Sequence, residues 1–159
     1  MTKSFVKQLL VALAVSIAYA WGISFTNATF HNNGFWINTP YYDGIDKHFC
    51  ENTNMFDPIR QPVNTFTNVI YLLVGLYVLG VAWRDWRQQK RYNLISANPW
   101  YSFVYGIIQV YLFVASSYFH AGLTLFGRDL DYSGVFSLSL YPLMYFTHRI
   151  VLIDRKSVV

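Results

Sequence analysis

Three residues inside a mostly apolar stretch could do chemistry together: Ser116, His120 and Asp131, in SSYFHAGLTLFGRDLD, residues 116–131. Ser116 and His120 are four residues apart, so on a helix they lie on one face. Asp131 follows a predicted turn containing Gly127, and we expect it at the entry of the next helix, where it can point back at that face. A hydroxyl, an imidazole and a carboxylate that meet in this way would suit metal-assisted hydrolysis.

Each of these side chains has a role in that chemistry. A neutral imidazole is a good Zn²⁺ ligand, a nearby carboxylate can orient or deprotonate a metal-bound water, and a hydroxyl can support the developing oxyanion. A purely structural interpretation stays open. In this interpretation, His120 is hydrogen-bonded to a backbone carbonyl at the membrane interface. Asp131 lies at a helix N-terminus, where the helix dipole stabilises a negative charge. One histidine does not make a catalytic zinc site, which generally has three protein ligands.

A second polar segment, FCENTNMFDPIRQPVNTFTN, occupies residues 49–68 and holds Glu51, Asn64 and Asn68. Asn64 and Asn68 are four residues apart on the second predicted helix. Asparagines at a helix entry can bond neighbouring helices or cap backbone groups, and they can also stand behind the ligands of a site. Glu51 and Asp57 could bind a cation, but two acids in a loop are a weak signal.

The composition is that of a membrane protein. The chain has 159 residues, of which 54% are hydrophobic and only 13% charged, whereas soluble domains carry roughly 25% charge. Four windows lack any charged residue: 8–42, 61–83, 92–127 and 132–147. A soluble domain with buried helices is the alternative, and four such windows in so short a chain argue against it.

We therefore predict an all-α, multi-pass transmembrane bundle formed as a single membrane domain over residues 1–159. About 20 mostly apolar residues cross the hydrocarbon core, which predicts spans at residues 5–25, 63–83, 100–125 and 132–152 and a polar outer loop at 26–60. Ala18 and Ala20 also fit a cleaved signal peptide. The apolar run continues past them to spanning length, so we favour a retained first helix.

Basic residues flank the predicted spans and indicate their orientation. Lys3 and Lys7, the 84–91 loop and the C-terminal DRK segment would face the cytoplasm, because cytoplasmic loops are enriched in Lys and Arg. The protein would then lie in the plasma (inner) membrane with a cytoplasmic N-terminus. His120, Asp131 and the FCEN segment would share the outer side. A modest net charge of +4 placed beside the spans does not indicate nucleic-acid binding.

The two segments together resemble a known family. FCEN…RQPVNTFTN followed by SSYFHAGLTLFGRDLDYSG resembles the alkaline ceramidases, which belong to a larger group of seven-helix membrane hydrolases with the adiponectin-type receptors and the GPI-anchor-remodelling lipases. The first segment is similar to the family's Cys-Glu lead-in and its Asn-Thr-x-Ser-Asn helix start, with Thr67 in place of the serine. The second is similar to its Ser-x-x-x-His…Asp motif. The resemblance covers roughly residues 48–150.

This resemblance implies a Zn²⁺-dependent hydrolase that cleaves a linear amide C–N bond in a membrane lipid, such as an N-acyl sphingoid. His120 would be a zinc ligand, Asp131 would hold or activate the zinc-bound water, and Ser116 would support the oxyanion. Glu51, Asn64 and Asn68 would shape the site or link the lead-in loop to it. Glu51, Asn64 and Asn68 would thus have supporting roles.

The chain departs from the family in two ways. The family's last helix carries a His-x-x-x-His pair that completes the zinc site, and this chain has no such pair. We therefore expect a fragment or truncated relative, and we expect the isolated chain to be a poorly stable monomer. The family's calcium site uses acids around the lead-in, and here His48 precedes FCE and Gln61 stands about where a later acid would fall, which argues against Ca²⁺ binding.

Two other functions stay open. The missing histidine pair is compatible with a non-catalytic or receptor-like membrane protein on the same scaffold. A structural membrane protein, whose polar residues only join helices, is the third interpretation.

Overall fold

The computed structural model describes residues 3–31, 33–40, 51–88, 95 and 97–157, and within these residues the regular secondary structure is helical. The lead-in residues His48 and Cys50 lie outside this part of the chain. Four long helices and one short one follow in order: α1 (Lys3–Phe30), α2 (Pro62–Thr67), α3 (Val69–Gln88), α4 (Trp100–Gly122) and α5 (Leu125–Ser157).

Three helical stretches in the described residues are long and apolar enough to cross a membrane: Leu10–Phe30, Pro62–Gln88 and Trp100–Gly122. These stretches support an all-α membrane protein and overlap the first three predicted spans. Helix α1 continues to Phe30, past residue 26, where the outer loop is predicted to begin. Thr26 does not break the helix, since its hydroxyl donates to the Gly22 carbonyl one turn earlier, at 2.8 Å.

The fourth predicted span, residues 132–152, is helical, but it is not among the stretches of the described chain that qualify as spans. It lies in α5, which is 33 residues long and contains Pro142. Residues 132–147 lack charge, yet serines, tyrosines and Gly134 lower the hydropathy of this part of α5. A charge-free window is therefore a weaker criterion than an apolar one.

Helices α3 and α4 pack closely through two glycines. A Cβ atom on Gly75 would lie 3.0 Å from the Gly106 carbonyl oxygen, and one on Gly106 would lie 2.7 Å from Leu79 Cγ. Small residues at such crossings let helix backbones approach where lipid, rather than water, surrounds the pair. Helix α4 also packs against α2 and α5, so it is the central element of the described fold.

The turn between α4 and α5 lies at Leu123 and Thr124, and the predicted turn at 127–129 is wrong. Leu123 adopts a left-handed conformation, φ 50°, and ends α4 with its N–H bonded to the Phe119 carbonyl. Thr124 then caps α5 by accepting a hydrogen bond from the Gly127 N–H at 3.0 Å. Gly127 is required for packing instead, since a Cβ there would lie 3.0 Å from Phe119 Cα.

Asn68 lies between α2 and α3, but its backbone is right-handed helical, with φ −62° and ψ −15°. Asn64 and Asn68 therefore stay one turn apart within the helical stretch Pro62–Gln88, as the spacing predicted.

Helix α1 joins this assembly through Tyr19. Its hydroxyl donates to Ser117 Oγ at 2.9 Å and approaches the Thr65 carbonyl oxygen at 3.3 Å. The Tyr19 ring packs edge-on against Phe113 and beside Phe66. Helix α1 runs without interruption through Ala18 and Ala20, where a signal-peptide cleavage site was the alternative.

Candidate functional site

The end of α4 is closed by the segment that precedes α2. The Arg60 N–H donates to the Ala121 carbonyl at 3.0 Å, and the Gln61 N–H donates to the His120 carbonyl at 3.1 Å. The buried Arg60 guanidinium donates to the Gly122 carbonyl at 2.7 Å. These bonds satisfy carbonyls that have no partner within the helix, and the cation is well placed at a helix C-terminus.

The Glu51 side chain lies against the N-terminus of the short helix α2, which begins eleven residues later in the sequence. Its two carboxylate oxygens accept hydrogen bonds from the Val63 N–H at 2.7 Å and the Asn64 N–H at 2.8 Å. A carboxylate is favourable at a helix N-terminus, where backbone N–H groups lack partners. Glu51 therefore ties the lead-in segment to α2.

The His120 side chain is hydrogen-bonded to the Gln61 side chain. The distance from His120 Nδ1 to Gln61 Oε1 is 2.7 Å, and Gln61 is completely buried. The Asn64 amide also donates to Gln61 Oε1, at 3.2 Å, while Gln61 Nε2 donates to Thr53 Oγ1, at 3.2 Å. Asn64 thus reaches the imidazole through Gln61.

Ser116 lies one turn before His120 on α4, and both side chains are buried. Asp131 comes from the second turn of α5 and is also buried. Among the described residues, none hydrogen-bonds Asp131 Oδ1. Asp131 therefore lies within α5, and the prediction that it stands at the entry of the helix is wrong.

Two further buried polar atoms near this segment have no hydrogen-bond partner among the described residues: Thr65 Oγ1 and Asn68 Nδ2. Thr65 follows Gln61 by one turn and donates its N–H to the Gln61 carbonyl at 2.9 Å. Leaving such groups unbonded costs about 1–3 kcal/mol each. A ligand or water that bonds these atoms would remove the penalty.

The other histidines lie elsewhere. His31 Nδ1 is 2.5 Å from Asp57 Oδ1, on an exposed ring beyond the end of α1. His148 bonds the Tyr101 hydroxyl at the opposite end of α4. Tyr101 and His120 are separated by 19 helical residues, or about 28 Å at 1.5 Å per residue. His148 therefore cannot join His120 in one site within this chain.

A complete metal site does not form from the described residues. No group of three His, Cys, Asp or Glu side chains in this part of the chain is close enough to hold a metal ion. His120 and Asp131 are residue types that can bind zinc, and both side chains are buried. The zinc site expected from the family resemblance therefore stays a prediction.

Sequence reasoning missed the contribution of Gln61 and Arg60. From the sequence, Gln61 is only the residue that stands where the family's calcium site has an acid, and Arg60 is only the last residue of the predicted outer loop. The available signal was a polar pair immediately before Pro62, at the first turn of a helix in an apolar region. A buried amide and a buried guanidinium require partners, and here those partners are on α4.

Comparison with known proteins finds no matching family model, and neither a curated protein nor a solved structure matches the chain. The resemblance to alkaline ceramidases therefore stays a hypothesis that rests on the two segments and their spacing.

Proposed function

We propose that this chain is a ceramidase-like, zinc-dependent membrane hydrolase of a lipid amide bond. The observation that carries the proposal is the burial of three polar side chains near the turn between α4 and α5. Ser116 and His120 are buried one turn apart on α4, and Asp131 is buried in the second turn of α5. Ionisable groups within a membrane bundle are costly and commonly mark functional sites.

The chain's own residues supply parts of an amide hydrolysis. Asp131 would accept a proton from the water that attacks the amide carbonyl and would return it to the amine nitrogen as the C–N bond breaks, while Ser116 would donate a hydrogen bond to the oxygen that gains charge. Zinc, when bound, would polarise that carbonyl and acidify water. His120 would be one of its ligands, while Glu51 and Asn64 would support the site through α2 and Gln61.

A membrane lipid is the substrate class that this location favours. The site lies at the end of an apolar helix, next to a lead-in segment that contacts the same helix end. The scaffold we propose has four spans, with α5 as the fourth, on a seven-helix plan. The N-terminus would be cytoplasmic and the site would face the outer side, as the basic residues beside the spans suggest.

The test is zinc content and fatty-acid release by the full chain in detergent. Zinc would be measured by plasma mass spectrometry, and release from an N-acyl sphingoid lipid would be measured with and without a chelator. We expect bound zinc and release in the parent chain, and loss of both in His120→Ala. His31→Ala is the matched control and should retain both. Equal zinc content in the His120→Ala chain would contradict the proposal.

A non-catalytic, receptor-like protein is the second candidate. It is favoured by one observation, that the described residues do not provide three grouped metal ligands. Zinc-dependent release of fatty acid from a lipid amide or ester would exclude it. Absence of release from a folded chain that binds lipid would favour it over the hydrolase.

A further inference from the structure

Three buried side chains line the α3–α4 seam, the surface where the helical stretch Pro62–Gln88 meets α4, and each has an atom without a hydrogen-bond partner among the described residues. These atoms are Thr65 Oγ1, Asn68 Nδ2 and Gln109 Oε1, on residues that are 3%, 6% and 4% exposed. All three residues lie in stretches long and apolar enough to cross a membrane. Lipid offers no hydrogen bonds, so such atoms need a partner inside the bundle. The proposed hydrolysis uses none of them.

Asn68 faces α4. Gln61, seven residues before it, donates its backbone N–H to the His120 carbonyl at 3.1 Å. Gly75, seven residues after it, lies so close to α4 that a Cβ there would be 3.0 Å from the Gly106 carbonyl oxygen. Seven residues make about two helical turns, so Asn68 lies on the same face as both contacts and midway between them. The two contacts also show that this stretch runs antiparallel to α4.

Gln109 faces the same seam from α4. A Cβ on Gly75 would lie 3.1 Å from Gln109 Cβ, which places Gln109 against α3. The contact between Gly75 and Gly106 sets the register of the two helices, so Gln109 is level with Leu72. Asn68 precedes Leu72 by four residues, or about 6 Å at 1.5 Å per residue. Asn68 and Gln109 are therefore one helical turn apart along the seam.

Thr65 lies one turn before Asn68, and its level is set independently by Tyr19. The Tyr19 hydroxyl donates to Ser117 Oγ at 2.9 Å and approaches the Thr65 carbonyl oxygen at 3.3 Å. One hydroxyl that contacts both residues keeps Thr65 beside Ser117. The three unbonded atoms thus occupy about two turns of the seam, between the candidate site and the glycine crossing of α3 and α4.

The chemistry of these atoms selects the ligand. Asn68 Nδ2 can only donate, Gln109 Oε1 can only accept, and the Thr65 hydroxyl can do both. A cation would satisfy only the acceptors, and an anion would satisfy only the donors. Water donates and accepts, and two hydrogen bonds of about 2.9 Å through one water span up to about 6 Å. This span matches the spacing of Asn68 and Gln109 along the seam.

We propose that the α3–α4 seam binds a water molecule that accepts a hydrogen bond from Asn68, donates one to Gln109 and takes the Thr65 hydroxyl as its third partner. Buried waters typically make about three hydrogen bonds to polar groups that are otherwise unsatisfied. The bound water joins α3 to α4 behind the candidate site. This inference does not depend on the hydrolase function, and its tests require neither zinc nor substrate.

The first test uses the unaltered, ¹⁵N-labelled chain in detergent. A long-lived bound water gives a nuclear Overhauser cross-peak between the water resonance and the side-chain NH₂ protons of Asn68. The same measurement on Thr65→Val removes a neighbouring hydroxyl proton that could relay the signal by exchange. We expect the cross-peak in both chains. Its absence from a resolved Asn68 signal in the parent, or its loss in a folded Thr65→Val chain, would overturn the proposal.

A double-mutant cycle then tests whether one water serves both side chains. Asn68→Leu or Gln109→Leu alone removes one partner of the water and leaves the other incompletely bonded. Each should raise the unfolding equilibrium constant about 10-fold in mixed micelles, and the double variant should raise it by much less than the product of the two factors. Single variants as stable as the parent, or factors that multiply, would refute a shared water.

Asn68→Leu combined with Ser102→Ala is the matched control. Ser102 is also buried on α4, but it lies seven residues beyond Gln109, which is about 10 Å farther from Asn68 along the helix. Effects at sites this far apart usually add in free energy, so the two factors should multiply. Coupling in the control pair as strong as that between Asn68 and Gln109 would show that the coupling does not come from a shared water.

Discussion

The two ends of α4 both place a histidine beside a hydrogen-bonding partner, but they do so in different surroundings. His120 is buried and bonded to a buried amide, while His148 is exposed and bonded to the Tyr101 hydroxyl. Around His148 the neighbours include tyrosines that pack edge to face, as Tyr101 and Tyr145 do. Around His120 they are amides, a carboxylate and a guanidinium.

Buried polar atoms without partners among the described residues are found near the His120 end of α4 and also at Gln109, near the middle of the helix. Asp131 Oδ1 and Thr65 Oγ1 are unbonded among the described residues near the His120 end. The tyrosine end instead pairs its hydroxyls: the Tyr141 hydroxyl donates to the Tyr101 carbonyl at 2.6 Å. Both ends are polar, so polarity alone does not mark a site. An unsatisfied buried group beside a histidine is the more informative feature.

The largest effect should come from a change that moves α4 as a whole. Gly106→Val adds side-chain atoms where a Cβ would already lie 3.1 Å from the Gly75 carbonyl oxygen. We expect a loss of about 3 kcal/mol in the free energy of unfolding, at the upper end of overpacking effects. Reversible unfolding in mixed detergent micelles measures this loss, and both ends of α4 should be affected.

Gly80→Ala is the control, since a Cβ at Gly80 has nothing within 4 Å. It should leave stability equal to the parent or slightly higher, because alanine has the better helix propensity. A similar loss in both variants would show that the close α3–α4 crossing is not what the helix pair depends on.

A change at Arg60 should affect the His120 end alone. Arg60→Met keeps the aliphatic part of the side chain but removes the buried donor to the Gly122 carbonyl. We expect a loss of about 2 kcal/mol in unfolding free energy, typical of a buried hydrogen bond to a charged group. Amide hydrogen exchange should increase in the last turn of α4 and remain unchanged near Tyr101.

Arg84→Met provides the comparison for Arg60, because the Arg84 side chain is largely exposed and only approaches Asp85 at 3.4 Å. Its loss should change stability by less than about 0.5 kcal/mol. Equal losses at the two arginines would show that burial at the end of α4 has no special importance.

The cap of α5 should have an intermediate effect. Thr124→Val removes the hydroxyl that accepts from the Gly127 N–H but keeps the shape of the side chain. We expect a loss of about 1 kcal/mol, the usual value for an N-cap. Thr39→Val, which removes a hydroxyl from the outer loop, is the comparison and should change stability less. A loss below the error of the unfolding curve would indicate that α5 begins elsewhere.

The smallest effect should come from the tyrosine end. Tyr101→Phe removes the hydroxyl that is hydrogen-bonded to His148. Water can replace this hydroxyl as the partner of His148, because His148 is exposed. We expect a loss of about 0.5 kcal/mol, at the low end for hydrogen bonds, with unchanged zinc content. A loss larger than that of Arg60→Met would reverse the ranking of the two ends.

Local spacing and composition were enough to predict several features of this protein. The apolar windows predicted helices of membrane-spanning length, and three of them are found in the described residues. The interval between Ser116 and His120 predicted one helix face, because the helical repeat depends only on residues near in sequence. Both residues lie on α4 and are buried.

Tertiary structure decided the rest, because the forces involved act between residues distant in sequence. The turn before α5 lies at Leu123 rather than at Gly127, since Gly127 is needed where α5 meets Phe119. The bond between Gln61 and His120 joins residues 59 positions apart. A buried amide requires a hydrogen-bond partner, but the pattern of neighbouring residues does not predict which residue that partner is. The partner is determined by the packing of Arg60 and Gln61 against the end of α4.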